Sequence, residues 1–210
     1  MNALPSRLLV VTDRHQAAAP LEAIATQAIL AGTRWIWLRD RDMAAAERRA
    51  LAARLLAITR RHGACLSIGG DADLACELAA DGVHLGAGAS VAAARRMLGP
   101  AVLIGISAHG AADIAAATAA GADYATLSPI YPTQSKPDYG PALGVAAIMQ
   151  AAQSALPVLA LGGITAERAP ACLRAGAAGI AVMGAVMRGA ARPGGVGQSV
   201  QALARACDPE

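Results

Sequence analysis

Phenylalanine is absent from the sequence, and two tryptophans and three tyrosines stand in for all the large rings. A core made mostly of small residues implies close backbone packing, as when helices lie directly on a sheet. Charge is also scarce: 16% of residues are Asp, Glu, Lys or Arg against 55% hydrophobic, with a formal net charge of +3. The basic residues are scattered, and no basic run is interleaved with aromatics. That pattern gives no nucleic-acid footprint, while a mild positive excess suits anionic metabolites. The four cysteines, Cys65, Cys76, Cys172 and Cys207, form no CxxC pair and have no metal-ligand spacing with histidine. They read as small buried hydrophobes. No run of about 20 apolar residues is present to span a membrane, and the segment Met1 to Val11 lacks the apolar stretch of a secretory signal. The expectation is a cytoplasmic protein with no membrane partner.

What is present is alanine, 22 glycines and a regular alternation of short apolar runs with longer amphipathic stretches. The apolar runs are Leu8–Val11, Trp35–Leu38, Cys65–Ile68, Val83–Leu85, Val102–Ile106, Tyr124–Leu127, Val158–Leu161 and Gly179–Val182. None alternates with polar residues, as expected of parallel strands buried on both faces. Helical stretches between them include Leu21–Ala31, Met43–Arg61, Val91–Leu98, Ala111–Ala120, Val145–Ala155 and Ala166–Ala175. Gly32, Gly63, Gly121 and Gly176 stand where these stretches end, the usual place of a left-handed cap. The tripeptides Ala80-Asp81-Gly82, Gly121-Ala122-Asp123 and Ala175-Gly176-Ala177 recur at these crossings and look like one structural device. Eight such units in 210 residues, with no linker, predict one α/β domain over residues 1–210, a TIM (β/α)8 barrel of parallel strands.

In such a barrel chemistry lies just after each strand. After the second strand comes Leu38-Arg39-Asp40-Arg41-Asp42, whose two arginines can grip phosphate bidentately. After the fifth come Ser107 and His109, a polar wall or a helix cap. The sixth is followed by a long loop from Ser128 to Pro141, in which Thr133, Gln134, Ser135 and Lys136 gather hydroxyls around an ammonium. After strands seven and eight, Gly162-Gly163 and Met183-Gly184 let backbone N–H groups approach an anion. His84 lies inside a strand and reads as a hydrogen-bonded core histidine.

Together these stretches resemble the thiamine phosphate synthase/TenI superfamily across nearly the whole chain. The resemblance is carried by Val10-Val11-Thr12-Asp13, Leu38-Arg39-Asp40-Arg41, Asp73-Leu74-Ala75, Ala80 to Gly86, Ile104 to Ser107, Ser128 to Lys136, Leu161 to Ile164 and Gly179 to Met183. It implies a thiamine biosynthesis transferase that couples hydroxymethylpyrimidine diphosphate to thiazole phosphate and releases diphosphate. It places Lys136, Arg39, Ser107 and Arg41 around the pyrimidine diphosphate, and Thr133, Gln134, Ser135, Gly163, Met183 and Gly184 around the thiazole phosphate. It also implies Mg2+, but the positions matching the family's Asn-Asp pair are Gly69 and Gly70, and a second aspartate is matched by Ala89. Asp71 is the one replacement ligand in reach. A glutamine of the family is matched by Trp37, and the histidine used by TenI-type thiazole tautomerases is matched by Pro129. The alternatives are accordingly a TenI-like isomerase and a non-catalytic protein that binds thiazole or thiamine phosphate. Oligomeric state is left open.

Overall fold

The structure, a computed structural model, describes residues 2–133, 141–191 and 195–207. Eight parallel strands close into a barrel in sequence order, β1 (Leu8–Val11), β2 (Trp35–Leu38), β3 (Cys65–Gly69), β4 (Gly82–Leu85), β5 (Leu103–Ala108), β6 (Tyr124–Leu127), β7 (Val158–Leu161) and β8 (Gly179–Val182). The closing pair is β1 with β8, in the register Leu8 opposite Ile180 and Val10 opposite Val182. The outer ring is α1 (Leu21–Leu30), α2 (Ala45–Arg61), α3 (Ala72–Glu77), α4 (Val91–Leu98), α5 (Ala111–Ala119), α6 (Gly144–Ala151), α7 (Ala169–Arg174), the single turn α8 (Gly184–Met187) and α9 (Gly195–Cys207). The TIM barrel expected from the sequence is the fold observed. Short apolar runs form its strands because both faces are covered, one by helices and one by the opposite side of the barrel.

Two differences from the sequence reading concern the helices. α3 has only six residues, and α9 begins at Gly195 and holds Gly197 in its first turn. Neither glycine favours a helix. Packing decides α9: Val196, Val200, Leu203 and Cys207 recur at helical spacing and are buried. The expected left-handed caps are present, with φ of +119° at Gly32, +63° at Gly63, +78° at Gly121 and +99° at Gly176.

Small residues outside the barrel and a few large ones inside share the space. Leu9, Val11, Trp35, Trp37, Leu103, Tyr124, Leu159 and Ala181 form a separate interior cluster. Trp35 meets Tyr124 edge to face, with centroids 4.7 Å apart. Gly105 on β5 makes room for that phenol, since a Cβ there would lie 2.1 Å from Tyr124 Cζ. The barrel is thus a packed core rather than a pore, and open volume is confined to its C-terminal mouth.

Candidate active site at the barrel mouth

The loops after the strands enclose a cavity of about 960 Å³, at the upper end of the usual range for small-molecule sites. Its wall includes Arg39, Arg41, Ser107, Thr133, Gly163, Met183 and Gly184, so seven residues singled out in the sequence converge on one space. Gln134, Ser135 and Lys136 lie outside the described residues.

The β1 and β2 loops are tied first to each other. Asp40 is 3% exposed and accepts from the Thr12 hydroxyl at 2.5 Å and the Arg14 backbone N–H at 2.7 Å. The Arg39 N–H donates to Thr12 Oγ1 at 3.0 Å, and its guanidinium sits 3.6 Å from Asp13 Oδ2. Below them Arg48, reaching back from α2 and 5% exposed, donates to the carbonyls of Asp40 and Gly69 at 3.0 and 2.6 Å and to Asp71 Oδ2 at 2.9 Å. One guanidinium therefore fixes the β2 loop to the end of β3. Sequence reading missed Arg48 because its role depends on where a helix one turn away comes to rest.

Arg41 is held differently. Its guanidinium lies over Gly70, where a Cβ would come within 2.7 Å of Cζ and Nε, and faces Gly86 at a would-be 3.6 Å. Gly70 has φ of +66°, so the backbone there calls for glycine, and its missing Cβ leaves the guanidinium room. Burial first, then the neighbouring charges of Arg39 and Arg48, lower the Arg41 pKa.

Beneath the mouth runs a chain of buried hydrogen bonds. The Trp35 indole N–H only donates, and it donates to Ser67 Oγ at 2.9 Å. Ser67 in turn bonds the Tyr124 phenol, and Tyr124 Oη lies 2.9 Å from His84 Nδ1. With Tyr124 donating, His84 carries its proton on Nε2, 3.1 Å from Ser107 Oγ and 3.3 Å from Thr126 Oγ1. In that tautomer Ser107 Oγ accepts from the His84 Nε2–H, and its own O–H is left to donate into the cavity that it lines. Burial, then the Arg41 charge, push the His84 imidazole down to about 3, which keeps it neutral as this chain requires. The expectation of a core histidine holds. Trp37 stacks on the His84 ring at 3.8 Å, and its buried indole nitrogen has no hydrogen-bond partner among the described residues.

Across the cavity, the glycines after β7 serve the protein's own packing. A Cβ at Gly162 would fall 2.8 Å from Pro129 Cα, and one at Gly163 2.6 Å from the Pro132 carbonyl. Both have positive φ, +96° and +63°. They let the β6 loop lie directly on the β7 loop. Two arginines unforeseen in the sequence complete this side. Arg168 donates to the Gly163 carbonyl at 2.7 Å and stacks over Tyr131 with its Cζ 4.7 Å from the ring centre. Arg188 lies against Gly184, where a Cβ would be 2.6 Å from both its terminal nitrogens, and bonds the neutral side chain of Gln16. Both line the cavity, as does His109, whose Nδ1–H donates to the Ser128 carbonyl at 2.9 Å.

The described carboxylates do not fit a site for Mg2+. Asp71 is the N-cap of α3, accepting from Leu74 N–H at 2.9 Å with one oxygen while Arg48 takes the other. Asp40 is consumed by Thr12 and Arg14, and Asp42 by Arg14 and His15. Among the described residues no three His, Cys, Asp or Glu side chains converge to hold a metal. A hard divalent cation takes several oxygen ligands, and the mouth offers guanidinium groups where they would stand. No helix in the described residues is long and apolar enough to cross a membrane.

The model of a family described as thiamine monophosphate synthase matches residues 8–186. A putative thiamine-phosphate synthase of Geobacter sulfurreducens is 45% identical over 86 residues, 40% of this chain and 40% of that protein. A thiamine-phosphate synthase of Salinispora tropica is 39% identical over 104 residues, 49% of this chain and 50% of the relative. The matched stretch thus spans half or less of the length of these curated relatives. Among solved structures, a thiamine phosphate pyrophosphorylase from Pyrococcus furiosus superposes with a TM-score of 0.84 at 27% identity, covering 96% of this chain and 95% of that one.

Proposed function

The chain belongs to the thiamine monophosphate synthase family, and from that premise we propose that it couples hydroxymethylpyrimidine diphosphate to thiazole phosphate, releasing diphosphate. The observation that carries the reading is the gathering of four guanidinium groups, Arg39, Arg41, Arg168 and Arg188, with the Ser107 hydroxyl around one cavity. That many cationic donors suit two anionic partners held in one space. In this reading Arg39, Arg41, Ser107 and Lys136 hold the diphosphate, while Thr133, Gln134, Ser135, Gly163, Met183 and Gly184 border the thiazole phosphate.

The bond that breaks joins the pyrimidine methylene to a diphosphate oxygen; the bond that forms joins that methylene to the thiazole nitrogen. Positive charge develops on the methylene and is delocalised by the aminopyrimidine, and negative charge develops on the leaving oxygen. Donors already aimed at that oxygen lower the barrier, because they need no reorganisation as the charge appears. The Ser107 hydroxyl and the Arg39 and Arg41 guanidinium groups are the donors that meet this description, and the neutral His84 behind Ser107 keeps the hydroxyl pointing outward. Holding both partners at van der Waals distance supplies the remaining advantage.

The test is direct: purified protein is incubated with both substrates, and thiamine phosphate is quantified by chromatography, with Mg2+ and separately with EDTA. Product under either condition supports the synthase. Its absence under both, with thiazole phosphate still bound, overturns turnover and leaves a TenI-like isomerase or a non-catalytic binder.

A further inference from the structure

The mismatch between the mouth and a divalent cation has a structural counterpart, the position of Arg41. Its guanidinium occupies the hollow above Gly70 and beside Gly86, a place that any larger residue at 70 would fill. Among the described residues it has no hydrogen-bond acceptor and no carboxylate within ion-pair distance. Its acidic neighbours are each committed elsewhere: Asp40 to Thr12 and Arg14, Asp42 to Arg14 and His15, Asp71 to Arg48 and the start of α3. Two further guanidinium groups, Arg39 and Arg48, act on it with like charge. A cation held against two others, in a cradle that only glycine permits, is unfavourable in the empty protein. It becomes favourable when an anion of more than one charge enters.

We propose that Arg41 is a built-in cation that takes the place of a bound metal ion, so that the mouth binds a diphosphate group without any divalent cation. A guanidinium offers a fork of N–H donors to two phosphate oxygens at once, and it keeps its charge at every accessible pH. The Gly70 position then has a purpose: it leaves the volume that the guanidinium fills. The inference rests on the phosphate-binding reading of the mouth given above, and it is independent of turnover.

The experiment is calorimetric titration of the full chain with inorganic pyrophosphate, in EDTA and in Mg2+. Binding in EDTA at least as tight as in Mg2+ is expected. Arg41→Gln, which keeps much of the side-chain length without the charge, is expected to weaken binding in EDTA by about 30-fold, and Arg41→Lys by about fivefold. Thermal unfolding of each variant within a few degrees of the parent verifies that the barrel is intact. Binding that requires Mg2+, no binding in either condition, or an unchanged affinity for Arg41→Gln overturns the proposal. The two readings part cleanly. Pyrophosphate bound through Arg41 in EDTA without thiamine phosphate formation removes the synthase and keeps the built-in cation. Thiamine phosphate formed with pyrophosphate binding that needs Mg2+ does the reverse.

Discussion

At the N-terminal end of the barrel, the Asp123 carboxylate is 2% exposed and accepts from the backbone N–H groups of Asn2 and Ile104, each at 2.8 Å, and from Arg95 at 2.6 Å. At the C-terminal end, Arg41 lies near two other guanidinium groups, and among the described residues no carboxylate pairs with it. The carboxylate below joins a strand, a helix and the segment before β1, while the guanidinium above has no such partner among the described residues. The difference separates the two tasks of the fold. Compensated charge at the bottom stabilises the closed barrel, and under the proposal above the charge at the top is binding energy held for an anion.

Breaking the bottom is expected to have the largest effect. Asp123→Ala leaves two backbone donors and Arg95 without their acceptor, which costs about 3 kcal/mol in urea unfolding, while pyrophosphate affinity of the folded fraction stays as it was. Arg48 blurs the contrast, being a cation near the mouth that is bonded as fully as the groups below. Arg48→Met should cost about 2 kcal/mol and also weaken pyrophosphate binding, because the β2 loop and Gly69 lose their common anchor; titration and unfolding together measure both. Arg188→Ala, a change at the mouth alone, should weaken thiazole phosphate binding by about tenfold with little change in melting temperature. The last effect is graded in pH. For Asp123, burial alone would raise the pKa, but the Asn2 and Ile104 N–H groups and Arg95 outweigh it and hold the carboxyl below its usual range. Its contribution is present above the unfolded carboxylate pKa of about 3.9 and is lost as pH falls through the native value. His84, held near 3 in the folded protein, takes up a proton on unfolding below about pH 6.5. Stability should therefore decline from pH 6.5 downward with a slope of at most about 1.4 kcal/mol per unit from this residue, steepening below pH 4 as Asp123 joins. His84→Gln should flatten the upper part of that curve alone.

The strands were legible because a strand buried on both faces leaves an uninterrupted apolar run, and β1, β2, β6, β7 and β8 begin and end where the sequence places them. The recurring Asp before a strand was visible as a device, and its physics is visible only in three dimensions. Asp81 accepts from Leu66 N–H on β3 at 2.8 Å, just as Asp123 accepts from Ile104 N–H on β5. Each aspartate ahead of one strand ties down the second residue of the strand before it. At the mouth, Arg39, Arg41 and Ser107 were legible because strand ends fix where their side chains emerge. Arg168 and Arg188 were not, since each sits beyond a loop and reaches the cavity only by resting on Tyr131 or Gly184. Nor was the reason for the glycines after β7, which depends on how closely the β6 loop comes to lie.

The Gly105–Tyr124 contact ties two positions together. The phenol occupies the volume that a side chain on the neighbouring strand would otherwise claim. A larger residue at 105 would therefore demand a shorter one at 124, and with it the loss of the hydroxyl that bonds His84. Size at one position and the hydrogen bonding beneath Ser107 are thus a single choice rather than two.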